Sequence, residues 1–226
     1  MRGILRYWPA AASAGLLLLA FPPFNLGLIA IVALTPWLIQ LRTASGKEGW
    51  KSGYLFGLLY GLGQLWWLDL FVARWTRSVL LGLVPYVAAS AAYAVYFGLA
   101  GWLIASCWRR KQAWMIPLVW VGIEVFRSYL PVLAFPWGIL ATPLWLYPIV
   151  NQSAYFGSIY LVSAWCVLAS TALAMLMEGE GFPKTRPLLN GLLVGLALSL
   201  LRLAMEPETK PFVATVGQPG VDMAFG

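Results

Sequence analysis

The chain has 226 residues, of which 61% are hydrophobic and only 10% charged, and its mean hydropathy is +0.78. Soluble domains carry about a quarter charged residues, so this composition excludes an ordinary water-soluble globule and predicts a polytopic membrane protein. The formal net charge of +7 does not call for a nucleic-acid partner, because basic residues flanking apolar spans are what membrane topology produces.

There is no histidine, and the two cysteines, Cys107 and Cys166, form no CxxC pair. That removes zinc sites of the usual kind and every histidine-based triad, so neither a metal nor a cofactor is expected. Both cysteines read as small buried apolar residues.

In chain order, Arg2 and Arg6 precede an apolar run with no cleavage-type site after it, which predicts an uncleaved anchor. The uncharged stretch from Tyr7 to Leu41 is too long for one span and fits two short ones, turned at Pro22-Pro23-Phe24-Asn25. A third span is predicted over Ser52–Leu70, where Gly53, Gly57, Gly61 and Gly63 offer close helix approach. The fourth lies in Ser78–Trp108, starting near Pro85, and the fifth covers about Gln112–Leu130. Residues 131–150, broken by four prolines, read as an apolar loop at the interface. A sixth span over 153–177 and a seventh over 187–205 complete the bundle. The predicted fold is therefore all-α, a polytopic membrane helix bundle of about seven transmembrane spans over residues 1–205.

Alternating the basic residues across seven spans places ten on one side, including Arg42, Lys47, Lys51 and Arg109-Arg110-Lys111, and five on the other. By the positive-inside rule the richer side is cytoplasmic. This predicts a cytoplasmic amino terminus and an extracytoplasmic carboxyl terminus. Beyond Met205 the chain turns polar, and Phe212-Val213-Ala214-Thr215-Val216 reads as the first strand of a soluble domain.

Candidate functional residues concentrate between Trp120 and Gly138. Trp120, Glu124 and Arg127 are spaced by four and three, so a helix puts them on one face. Charges at membrane depth are costly and are normally paired, turned into the bundle, or set beside a water-filled cavity. Pro131 and then Phe135-Pro136-Trp137-Gly138 cannot continue the helix. Glu124 and Arg127 admit two readings: a polar anchor beneath a lipid-access site, with Arg127 meeting a phospholipid head group, or a structural pair that fixes helix packing.

In order and spacing these pieces resemble the apolipoprotein N-acyltransferase family. The matching stretches are Ala20 to Gly27, Trp120, Glu124 and Arg127 ahead of Phe135-Pro136-Trp137-Gly138, Pro148 to Gln152 with Ala154, Gly157, Tyr160 and Ser163, and Val213 to Gln218. The resemblance implies a protein of the bacterial cytoplasmic (inner) membrane, with a phospholipid acyl donor and a diacylglyceryl lipoprotein acceptor. It also implies a Glu–Lys–Cys triad in an extracytoplasmic nitrilase-like domain after the seventh span. No triad position falls within these residues, so 206–226 is read as a linker and the start of that domain, truncated, and the chain by itself is expected to be inactive. A separate catalytic domain is then a possible partner. The resemblance further marks Trp137 and its neighbour Pro136 as a loop that holds lipid or the catalytic domain, against the plainer reading of an interfacial anchor tryptophan. The expected substrate-binding set is Trp137, Arg127, Glu124, Trp120 and Pro136, with no catalytic residue. Two other classes stay open: a non-catalytic membrane scaffold docking a separate enzyme, and a small transporter.

Overall fold

The computed structural model describes residues 5–131 and 134–205, so the predicted linker and strand after Met205 lie outside the described residues. Helix α1, Trp8–Ala20, has Pro9 in its first turn, where a missing amide costs nothing, and stops at Phe21 ahead of the Pro22-Pro23 pair. Asn25 takes the left-handed conformation that short polar side chains tolerate, with φ at 56°, and the turn closes as predicted. A 3₁₀ turn, Gly27–Ile31, then leads to α2, Thr35–Leu41.

Ser45 and Glu48 form a reciprocal capping box at the start of α3, Gly46–Gln64. After the glycines at 61 and 63, which weaken the helix locally, the chain bends by 50° into α4, Trp66–Thr76. The predicted uninterrupted third span is thus two segments. Helix α5, Val79–Arg109, is 31 residues long and begins at a Ser78 cap, so Pro85 sits inside it rather than at its start. Proline keeps a helical φ there and forfeits one hydrogen bond near the first turns. Helices α6 (Ile116–Tyr129), α7 (Pro148–Asn151), α8 (Ala154–Met177) and α9 (Phe182–Ala204) follow. Residues 134–147 form an extended stretch and a 3₁₀ turn, so the predicted loop is no span.

Helices α3 and α5 pack antiparallel, in line with the predicted glycine stripe. Gly49, Gly53, Gly57 and Gly61 all face α5, whereas Gly63 faces Leu18 of α1. A methyl group on Gly57 would meet the Ala94 Cα and the Phe97 Cβ at 2.8 Å, and backbone cannot move aside cheaply. Gly57→Ala is expected to lower stability in detergent by about 1–3 kcal/mol, the usual cost of overpacking. Gly15→Ala, with nothing within 4 Å of the added methyl, is the control and should leave the melting temperature nearly unchanged.

Four of the basic residues assigned to one side, Arg6, Arg42, Arg109 and Lys184, are held by contacts at one end of the bundle. Arg6 pairs with Glu48, Arg42 with Glu180 at 2.7 Å, and Lys184 with Glu180 at 3.4 Å. Arg109 donates to the Ala44 carbonyl at 3.1 Å. These contacts tie α2, the start of α3, the end of α5 and the α8–α9 turn together.

The described residues are helical throughout their regular elements. By length and composition, α5, α8 and α9 can each cross a membrane, and the bent α3–α4 pair makes a fourth candidate. Trp8–Ala20 and Gly27–Leu41 are apolar but shorter. Helix α6, with 14 residues, reaches only about 21 Å at 1.5 Å per residue, short of a hydrocarbon core of roughly 30 Å.

Candidate functional site: a pinned aromatic loop

Helix α6 buries Trp120, Ile123, Glu124 and Arg127, a spacing of three, four and seven that makes one stripe. The stripe faces the bundle interior, as the cost of charge at depth requires. Trp120 is 2% exposed and lies among the rings of Trp37, Phe56 and Phe97, with centroids 6.4, 6.2 and 5.5 Å away. From there an aromatic column continues through Tyr60 and Tyr93 to Phe135, neighbouring centroids standing 5.0 to 6.1 Å apart.

Glu124 and Arg127 do not form an ion pair with each other, and here the predicted structural pair needs correction. Each instead holds the backbone of the loop that follows. Arg127 Nη1 donates to the carbonyls of Phe135 at 2.7 Å and Trp137 at 2.5 Å, and Nη2 donates to Gly138 at 3.1 Å. Its own carbonyl accepts from the Phe135 amide at 2.6 Å. Glu124 Oε1 accepts from the Leu140 amide at 2.8 Å. Helical spacing makes the two side chains neighbours, but an irregular loop inside an apolar bundle offers unsatisfied carbonyls to the cation and an unsatisfied amide to the carboxylate. Those backbone groups must be paired, and that need decides the partners.

Three side chains that the sequence reasoning did not assign to the site complete it. The Tyr93 hydroxyl donates to the Trp137 carbonyl and the Tyr60 hydroxyl to the Gly138 carbonyl, both at 3.1 Å. Ser163 of α8 accepts from the Ala141 amide at 3.2 Å. A tyrosine in a buried stretch is a signal in itself, since its hydroxyl needs a partner there. Arg127 also lies over the Tyr93 ring, its Cζ 5.2 Å from the centroid. Gly138 has φ at 64°, and a Cβ there would come within 2.9 Å of both tyrosine hydroxyls, so conformation and space both require glycine.

The predicted site residues therefore divide into two layers. Glu124, Arg127 and Trp120 are buried at 1%, 0% and 2% exposure and cannot touch a ligand from the surface in this conformation. Pro136 and Trp137 are exposed, and the Trp137 ring, 53% exposed, stands 5.5 Å from that of Trp67 on α4. Around Trp67 the outward residues of α4 and of the start of α5 are large and apolar, among them Trp66, Phe71, Trp75 and Leu80. On the other flank of the loop a groove of about 430 Å3 is lined by Thr142, Trp145, Asn151, Gln152 and Tyr155. Helix α8 is kinked beside it, at Gly157 and Ser158.

Glu124 Oε2, Arg127 Nε and Trp120 Nε1 make no hydrogen bond of good geometry among the described residues, but the Trp120 and Ser163 side chains lie close enough to the Glu124 carboxylate to interact with it. Cys107 and Cys166 are free and buried, in line with their reading as small apolar residues. Among the described residues no group of three or more cysteine, aspartate or glutamate side chains could hold a metal ion.

Residues 13–172 match the profile of the apolipoprotein N-acyltransferase N-terminal domain. The chain is 27% identical to the apolipoprotein N-acyltransferase of Geobacter metallireducens over 96% of its own length and 43% of that protein's. It is 30% identical to the enzyme of the same name from Pseudomonas putida, over 88% of the chain and 42% of the relative. A Rhizobium etli relative is 28% identical over 98% of the chain. The chain spans less than half the length of these curated relatives. The matched profile runs from α1 through α8 and so contains both layers of the site; by that match the chain belongs to the apolipoprotein N-acyltransferase family, in its N-terminal membrane domain.

Proposed function

We propose that this chain is the lipid-presenting membrane part of an apolipoprotein N-acyltransferase, with a phospholipid as acyl donor and a diacylglyceryl lipoprotein as acceptor. It sits in the bacterial cytoplasmic membrane as seven membrane-embedded segments, the short ones being α1, the Gly27–Leu41 pair and α6. The amino terminus is cytoplasmic, and the Phe135–Gly138 loop lies at the extracytoplasmic face. The observation that carries the reading is the two-layered site: a loop whose carbonyls are held from below by Arg127, Tyr60 and Tyr93, with Trp137 turned outward.

A phospholipid already in the bilayer gains little further affinity from an apolar groove. What a rigid aromatic loop contributes is orientation of the lipid, the proximity term in catalysis. The acyl transfer itself belongs to a nitrilase-like domain. There a thiolate attacks the phospholipid ester carbonyl, the lysophospholipid leaves, and the resulting thioester gives its acyl group to the lipoprotein's amino group. Both cysteines of this chain are buried within helices, so the chain supplies no such thiol to the surface.

Complementation tests the reading. The chain is expressed in cells depleted of their own N-acyltransferase, with and without a separately supplied nitrilase-like domain, and N-acylation of a reporter lipoprotein is scored by mass spectrometry. Acylation only with the added domain is expected. Acylation by the chain alone would overturn the division of labour, and none in either case would leave a docking scaffold as the better account.

A further inference from the structure

At the end of the bundle away from the loop, α3 and α5 border a second, open groove. Lys51 is nine residues before Tyr60 on α3, and Trp102 nine after Tyr93 on α5, which sets this groove about 13 Å along the axis from the loop. Its volume is about 330 Å3, and it is lined by Gly46, Lys47, Trp50, Lys51, Leu99 and Trp102. The two tryptophans are held reciprocally. Trp50 of α3 lies over Gly98 of α5, 3.1 Å from where a Cβ would stand, and Trp102 of α5 lies over Gly46 of α3 at 2.8 Å. Each indole is thereby fixed yet partly open, at 39% and 46% exposure. Leu99 forms the apolar floor between them.

Lys47 and Lys51 are one helical turn apart, exposed, and on the same rim. Neither has an ion-pair partner among the described residues. Glu48, the adjacent carboxylate, is already taken up by Arg6 and by the Ser45 amide. Arg109 at the far corner is committed to the Ala44 carbonyl and the Ser106 hydroxyl. The groove therefore joins an apolar, tryptophan-walled trough to two uncompensated positive charges at one mouth.

We propose that this groove binds an anionic phospholipid of the leaflet that bathes the basic end of the bundle. The phosphate meets Lys47 and Lys51, and an acyl chain lies along Trp50, Leu99 and Trp102. Charge complementarity selects the occupant: a basic pocket between membrane helices attracts anionic head groups, and interfacial tryptophans border the acyl region. The site is distinct from the loop and does not depend on acyl transfer.

Native mass spectrometry of the full chain in mild detergent tests it, with phosphatidylglycerol and phosphatidylcholine as probes. The chain is expected to retain phosphatidylglycerol about tenfold better than phosphatidylcholine. Lys47→Gln with Lys51→Gln should abolish that preference, and Lys47→Arg with Lys51→Arg should keep it. Arg110→Gln with Lys111→Gln removes the same charge at the same end outside the groove and should leave retention unchanged. Equal retention of the two lipids by the unaltered chain would identify a plain acyl-chain trough and overturn the proposal. An equal loss in the Arg110/Lys111 variant would reduce the effect to general electrostatics and overturn it as well, as would a lipid-free dimer occupying the groove.

Discussion

Arg127→Ala is expected to be the most damaging single substitution in the bundle, costing about 3–5 kcal/mol, the range for removing one member of a buried charged network. The count of partners explains the size. The Phe135 carbonyl loses its side-chain donor altogether, while the Trp137 and Gly138 carbonyls keep only a tyrosine hydroxyl each. A buried carbonyl left without a partner costs roughly 1–3 kcal/mol. Glu124 also loses the nearby cation that offsets its burial. Arg127→Lys should recover only part of the loss, because a single ammonium cannot reach three carbonyls with the geometry of a guanidinium. The check is thermal unfolding in detergent, where the alanine variant should melt roughly 10 °C lower. Proteolysis near Pro131–Trp137 should rise with it, showing that the loop, rather than helix packing in general, has been released.

Trp137→Ala is expected to do the opposite: little to stability and much to activity. The loop is held through the Trp137 carbonyl, not its ring, and the ring is half exposed. Stability should therefore change by less than about 1 kcal/mol, as for a surface substitution. With the proposed nitrilase-like domain supplied, the rate of acyl transfer should fall on the order of 10²-fold, the scale on which misplacement of a substrate costs catalysis. Trp137→Phe keeps an apolar ring and should retain most activity. A fall in activity matched by an equal fall in melting temperature would make Trp137 merely structural.

Sequence reasoning reached the site along one path and missed it along another. The stripe Trp120, Glu124, Arg127 was legible because helical periodicity and the cost of buried charge both act within one element. The Pro22–Asn25 turn and the Gly53–Gly61 stripe were legible for the same local reason. What Glu124 and Arg127 bind was not, because their partners are backbone atoms 8 to 16 residues downstream, and backbone carries no residue-type signature. Tyr60, Tyr93 and Ser163 escaped likewise: only the three-dimensional path of the loop brings its carbonyls and amide to those hydroxyls. The bend after Gln64 and the early start of α5 were missed because hydropathy runs through both without interruption. Hydropathy also counts segments more readily than lengths. It delineated seven apolar stretches, whereas among the described residues three helices, or four with the bent pair, are long enough to cross a membrane outright.

In the proposed arrangement Trp137 faces lipid substrate, Glu124 and Arg127 hold its loop in place, and Trp120 packs in the aromatic core behind them. The most direct measurement puts a photo-crosslinking amino acid at Trp137 and, separately, at Trp120, and identifies the adducts by mass spectrometry after irradiation in native membranes. Phospholipid adducts from position 137, with those from position 120 confined to the chain itself, are the predicted result. No lipid on position 137, or equal lipid on both, would contradict the account.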